Sequence, residues 1–215
     1  MSEPSVLFED EELVAVDKPA GMATAAGGGI EDDASLHAWV SRLVGGRTFI
    51  VHRLDRGTSG VIVFAKTAEE HRRLSQAFES RDVAKRYLAV VDGHVRRMSG
   101  DITEPLRTFG SGRVGVDPNG SEALTRYRRL ERLRDDDLLE VLPLTGRRHQ
   151  IRVHCYAMGH PVLGDTRYGA SRPVAGAPRL MLHAAELRLP KTAGDPMVIR
   201  ADPPAEFELV LEGLR

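Results

Sequence analysis

Short apolar runs, each closed by glycine, proline or a cluster of aspartates, recur along this chain and limit what it can fold into. A run of roughly four to eight residues bounded by turn signals reads as a strand. "SVLFEDEELVAVDKPAGM" gives strand, acidic turn, strand; Leu13–Val16 is the second strand, and Lys18-Pro19-Ala20-Gly21 ends it. "VHRLDRGTSGVIVFAK" gives a loop, a turn between Gly57 and Gly60, and a buried-looking strand through Val61, Ile62, Val63 and Phe64. "VAKRYLAVVDG" alternates like a half-buried strand, with Val83, Lys85, Tyr87, Ala89 and Val91 on one face. "SEALTRYRRLERL" and "DLLEVLPL" read as two further strands, with Asp135-Asp136-Asp137 in the hairpin turn between them. "RLMLHAAELRLP" and "FELVLEG" add short strands near the end.

Helical periodicity interrupts these strands. "DASLHAWVSRLVGG" puts Leu36, Trp39, Val40 and Leu43 on one face and stops at Gly45. "TAEEHRRLSQAFESR" opens with Thr67 and has Glu70 three residues on, a capping box, and buries Leu74, Ala77 and Phe78. "TGRRHQIRVHCYAMGHP" predicts a helix after Gly146 that ends at Gly159, with Ile151, Cys155 and Met158 as its apolar stripe. On that helix Arg148 and Arg152, four apart, share a face. Strands joined by tight turns, with helices between, argue an α+β domain on a mixed, mainly antiparallel sheet flanked by helices.

A chain of 215 residues suits one large domain or two small lobes sharing a core. The mean hydropathy of -0.27 is that of an ordinary globular protein. The acidic start lacks a signal pattern, and no apolar stretch approaches membrane-spanning length, so no membrane role is expected. A single cysteine, Cys155, rules out an internal disulfide framework and points to a reducing, cytoplasmic setting. The net charge of -1 conceals an asymmetry: residues 1–50 are acidic and residues 51–100 basic. Only four of the 30 basic residues are lysines, and arginine is the residue suited to bidentate phosphate contacts.

His149, His154, Cys155 and His160 lie close in sequence, but their spacing matches no zinc motif, and no metal is expected. Thr58 breaks a G-x-S-x-G elbow at Ser59, Cys155 falls on an apolar stripe, and no dinucleotide or Walker loop is present. Gly27-Gly28-Gly29 reads as a flexible connector rather than a phosphate cradle. Three features remain: Asp55 on a loop next to a rigid strand, Tyr87 beside two cations, and an arginine-rich helix start in "TGRRHQIR". Asp55 also reads as a surface partner of Arg53 or Arg56, and Tyr87 as a half-buried strand residue with its hydroxyl at the edge. A helix start flanked by arginines suits a phosphate or carboxylate.

"HRLDRGTSGVIVFAK", "KRYLAVVDGH", "LTGRRHQIRVH" and "GHPVLGDTRYG", in this order, resemble the signatures of the RluA-type pseudouridine synthases. "EDEELVAVDKPAGM" and "RLMLHAAELRLP" extend the resemblance over nearly the whole chain. It implies the pseudouridine synthase catalytic fold, a single domain over residues 1–215 with a central RNA-binding cleft, and no N-terminal S4-type domain. It also implies a monomer that isomerises a uridine of rRNA or tRNA with no cofactor. By the motif match Asp55 is the catalytic carboxylate, required in its ionised form. Arg147 would pair with it and orient it, and Tyr87 would stack on the uracil. RNA contacts are expected from His52, Arg53, Arg56, Lys85, Arg86, Arg148, His149, Gln150, Arg152 and His154. Because the target atoms are inaccessible in a stacked helix, the nucleotide must flip out. Two rival readings are an RNA-binding or RNA-folding module without catalysis, and a hydrolase of a phosphorylated small molecule. The second would need another carboxylate or a metal.

Overall fold

The computed structural model describes residues 3–27, 34–169, 177–191 and 194–215. Gly28 and Gly29 of the glycine loop lie outside the described residues. In chain order the elements are β1 (Ser5–Glu9), β2 (Leu13–Lys18), α1 (Leu36–Leu43), β3 (Phe49–Ile50), β4 (Ser59–Ala65) and α2 (Ala68–Glu79). Then come β5 (Ala84–Asp92), β6 (Ser99–Ile102), β7 (Leu106–Thr108), β8 (Val114–Val116), β9 (Thr125–Arg132) and β10 (Asp136–Pro143). The remainder are α3 (Gln150–Ala157), β11 (Leu182–Leu189), β12 (Met197–Arg200) and α4 (Ala205–Leu214). Two compact units result, one of Met1–Ala84 with Ala184–Asp202, the other of Lys85–His183 with Pro203–Arg215. Among the described residues no helix is long and apolar enough to cross a membrane.

In the first unit the strands run β1-β2-β4-β11, with β3 beside β4 and β12 beside β11. The pairs β1/β2, β2/β4, β3/β4 and β11/β12 are antiparallel. Every residue of β4 is buried. A strand covered on both faces needs consecutive rather than alternate apolar residues, and Val61–Ala65 supply them. Val61 and Val63 join Leu13 and Ala15 of β2, Leu187 and Leu189 of β11, and Leu74 and Ala77 of α2 in one core. Phe64 points the other way and its ring stacks on His37 of α1 at 5.8 Å. Thr67 caps α2 by accepting from the Glu70 amide at 3.1 Å. The reciprocal half of the capping box is diverted: the buried Glu70 carboxylate takes both Nε and Nη2 of Arg73 at 2.6 Å. Leu43, expected on the buried stripe of α1, is 46% exposed because it lies on the last turn.

In the second unit β5-β10-β9-β6 form an antiparallel sheet, and β7 and β8 form a separate ribbon. Leu106 and Val114 of that ribbon pack with Ala123, Val153 of α3, and Tyr168. Three expectations are corrected here. "FELVLEG" is helical, not a strand: Phe207, Val210 and Leu211 recur at helical spacing and form the buried face of α4. Asp136 and Asp137 do not sit in the hairpin turn but open β10 with their side chains buried. Asp137 accepts from the Val95 amide at 2.8 Å and lies 3.6 Å from Arg129, so it anchors a neighbouring loop. Finally, α3 starts at Gln150, after His149 in a left-handed conformation (φ 54°), so Arg148 precedes the helix and shares no helical face with Arg152.

Candidate active site

Asp55 lies on the loop between β3 and β4, half-buried, and its carbonyl accepts from the Thr58 amide at 3.0 Å to close a turn. Both flanks of that turn are clamped. The Thr24 hydroxyl accepts from the Leu54 amide at 3.2 Å and donates to the Leu54 carbonyl at 3.0 Å. Arg56 exchanges bonds with Gly21: the Gly21 amide reaches the Arg56 carbonyl at 2.8 Å, and the Arg56 Nε reaches the Gly21 carbonyl at 2.8 Å. Beneath them the fully buried Lys18 ammonium donates to the carbonyls of Pro19 (3.0 Å), Met22 (2.8 Å) and Arg56 (3.2 Å). A buried ammonium must be satisfied by acceptors, and here two of the three belong to the segment that follows β2. Gly60 sits at φ +108°, and a Cβ there would stand 2.2 Å from the Ala184 carbonyl oxygen, so only glycine lets the turn enter β4 at this point.

His52 is engaged structurally. Its Nε2 accepts from the Val63 amide at 3.1 Å and its ring stacks on Phe78 at 4.6 Å, which places its proton on Nδ1. Arg53 and Arg56 are exposed on either side of Leu54 and Asp55.

In the second unit Tyr87 is a half-buried residue of β5, opposite Val141 of β10. Lys85, two residues earlier, donates to the Thr145 carbonyl at 3.3 Å, and a Cβ at Gly146 would lie 3.9 Å from its ammonium. The "KRY" strand and the "TGR" turn therefore adjoin. Arg147 is exposed; its Nε donates to the Glu122 carbonyl at 3.0 Å, and its amide donates to Gln150 Oε1 at 2.9 Å. Arg86 pairs with Glu140 at 2.7 Å, which Arg128 also reaches at 3.0 Å.

Three further residues expected at RNA contacts make internal bonds. Gln150 is buried and acts as a hub: Oε1 takes the Thr145 hydroxyl at 2.7 Å, while Nε2 donates to the Leu124 carbonyl at 3.0 Å and the Thr125 hydroxyl at 2.9 Å. His154 is 0% exposed, with Nδ1 2.8 Å from the Thr125 hydroxyl and Nε2 2.9 Å from the Glu104 carbonyl. Burial holds its pKa below the usual histidine value. Arg152 binds Asp165 through Nε at 2.7 Å and Nη2 at 2.8 Å and lies over the Tyr168 ring. Asp165 feels opposed effects: burial raises its carboxyl, while Arg152 and the amides of Tyr168 and Arg167 lower it, with a net lowering.

Asp165 and Tyr168 carry no role in the sequence reading, although Asp-Thr-Arg-Tyr is an Asx-turn pattern. Asp165 Oδ1 accepts from the amides of Arg167 (2.9 Å) and Tyr168 (3.0 Å). The Tyr168 hydroxyl then accepts from the Val114 amide at 3.0 Å and forms a hydrogen bond with His149 Nδ1 at 2.8 Å. Burial pushes the Cys155 thiol up to about 12, which removes it as a thiolate nucleophile. Among the described residues no group of three His, Cys, Asp or Glu side chains is arranged to hold a metal ion.

One unit thus holds a clamped carboxylate turn, and the other a tyrosine on a strand with an arginine turn beside it. A sequence model of the RNA pseudouridylate synthase family matches residues 12–157, and so spans Asp55, Tyr87 and Arg147. The chain belongs to this family. Family members are isomerases acting on RNA, and the curated and structural relatives agree. The chain is 36% identical over 220 residues to the ribosomal large subunit pseudouridine synthase C of Vibrio parahaemolyticus, covering 99% of this chain and 70% of that protein. It is 37% identical over 187 residues to the dual-specificity RNA pseudouridine synthase RluA of Vibrio cholerae, covering 85% of this chain and 75% of that one. The structure of human RNA pseudouridylate synthase domain containing 1 superposes with a TM-score of 0.81 at 29% identity, covering 94% of this chain and 84% of that one.

Proposed function

We propose that this pseudouridine synthase isomerises a uridine of ribosomal or transfer RNA, with Asp55 as its catalytic carboxylate after the nucleotide has flipped from its stack. The clamped turn carries this reading. Lys18, Thr24 and Gly21 hold both neighbours of Asp55, so its carboxylate is presented with little freedom to lose when substrate arrives. Such rigidity is more than a surface ion pair with Arg53 or Arg56 requires.

In the reaction the N1–C1′ bond breaks, the uracil turns, and a C5–C1′ bond forms. The C5 proton leaves and N1 takes one up, so atoms balance without a co-substrate. Asp55, ionised, acts as nucleophile or base. Tyr87 offers its ring face to the flipped uracil, which offsets part of the few kcal/mol that flipping costs. Arg147 contributes a fixed positive charge to the site, and Arg53 holds the opened RNA.

The name of the Vibrio parahaemolyticus relative favours ribosomal RNA of the large subunit as substrate. The test is transcriptome-wide mapping of pseudouridine in cells with and without the gene. The expected result is the loss of a small set of sites, restored by the wild-type protein and not by Asp55→Asn. Unchanged maps would refute the assignment.

A further inference from the structure

We propose that the groove between the β7–β8 ribbon and the turn leading into α3 is a phosphate subsite for the RNA backbone flanking the target nucleotide. This rests on the reading of the protein as an enzyme of RNA uridine. The groove has a volume of ≈ 200 Å³, and Arg107, Thr108, Asn119, Ser121, Arg147 and Arg148 line it. Pockets that enclose whole drug-sized ligands hold roughly 300–1,000 Å³, so this one suits a single charged group rather than a base and sugar together.

Charge distribution marks the place. Several arginines elsewhere in this unit are paired with carboxylates: Arg86 and Arg128 with Glu140, Arg126 with Asp101, Arg152 with Asp165, and Arg215 with Glu131. At the groove such pairing is sparser. Among the described residues Arg148 has no carboxylate partner, and Arg147 bonds only to backbone and amide oxygens. Arg107 reaches one carboxylate, that of Asp117, at 3.3 Å, and its own side chain is 56% exposed. Two guanidinium groups without a carboxylate partner, beside a third that has one longer contact, suit a phosphate, which their planar forks match.

The walls are fixed before any ligand arrives. The Tyr168 hydroxyl holds the Val114 amide of β8 at 3.0 Å. Leu106 and Ser121 exchange backbone bonds at 2.9 and 2.8 Å, and the Gly120 amide reaches the Asp117 carbonyl at 2.8 Å. A Cβ at Gly120 would stand 2.6 Å from the Leu106 carbonyl carbon, so the loop under Asn119 and Ser121 is closely seated on the ribbon.

The experiment measures affinity for a labelled RNA fragment that the wild-type enzyme modifies, across a range of salt, for Arg107→Ala, Arg148→Ala and the double variant. Each single change is expected to weaken binding and to flatten the log–log salt slope by about 0.7–0.9, the value for one phosphate contact. The loss should show in KM rather than kcat. Arg126→Ala, which removes an arginine already paired with Asp101, should leave the slope unchanged. Wild-type slopes in Arg107→Ala, Arg148→Ala and the double variant would overturn the proposal. Inorganic phosphate at constant ionic strength is expected to displace RNA from the wild type more readily than from the double variant, since the free ion competes for the same groove. If the wild type formed no pseudouridine in any RNA, the functional reading would fail instead, a result distinct from either of these.

Discussion

At the scale of single residues, buried polar groups decide most of what the chain does with its charge. His154 is neutral between Thr125 and the Glu104 carbonyl, and burial depresses its pKa from the ordinary 6.5. His160 is depressed in the same way. A histidine whose folded pKa lies below its unfolded value contributes stability that is present above the unfolded value and lost as pH falls towards the folded one. The melting temperature should therefore decline as pH drops below about 6.5. His154→Gln should start lower but decline less steeply; an unchanged slope would remove His154 from the account. Lys18→Met leaves the carbonyls of Pro19, Met22 and Arg56 without their shared donor, at about 1–3 kcal/mol for a buried group left unsatisfied. Urea denaturation should show that loss, and the rate of pseudouridine formation should fall more than RNA affinity does. Motif order marked out Asp55, Tyr87 and Arg147, but the sequence does not reveal that Arg152, Gln150 and His154 are spent on internal bonds. Their partners Asp165, Thr125 and Glu104 are 13 to 50 residues away. An arginine on a helix reads as a phosphate contact until its carboxylate is located in space.

Elements were legible wherever one local rule governed them. The Thr67 cap and the stripe of α2 follow from spacing alone, and Thr67→Ala should cost about 0.5–2 kcal/mol in chemical denaturation. The apolar run of β4 announced a strand buried on both faces. Two elements were misread because local signals competed. "FELVLEG" reads as a short strand, yet Phe207, Val210 and Leu211 also fit a helix, and these three form the buried face of α4. The run Asp135-Asp136-Asp137 looks like turn chemistry, but the Gly93 and Val95 amides require acceptors, and Asp136 and Asp137 provide them. A sharper test concerns the join between the Asp55 turn and β4. Gly60→Ala places a methyl 2.2 Å from the Ala184 carbonyl oxygen at a positive φ, so it should destabilise by at least about 3 kcal/mol. Gly46→Ala, with nothing within 4 Å, should be nearly neutral. Equal melting temperatures for the two variants would contradict the packing described.

Over the whole molecule the formal charge of -1 says little about RNA, because paired and unpaired arginines count alike in it. What matters is where positive charge lacks a carboxylate partner; among the described residues Arg147 and Arg148, in the turn before α3, are two such places. The central claim is that one carboxylate on one clamped turn drives the isomerisation. Asp55→Asn keeps the size and the turn but removes the charge, so neither nucleophile nor strong base remains. The most direct measurement is tritium release from RNA labelled at uridine C5, for wild type and Asp55→Asn, with RNA affinity measured in parallel. The account predicts release by the wild type, no release above background by the variant, and nearly equal affinities. Release by Asp55→Asn near the wild-type rate would contradict it.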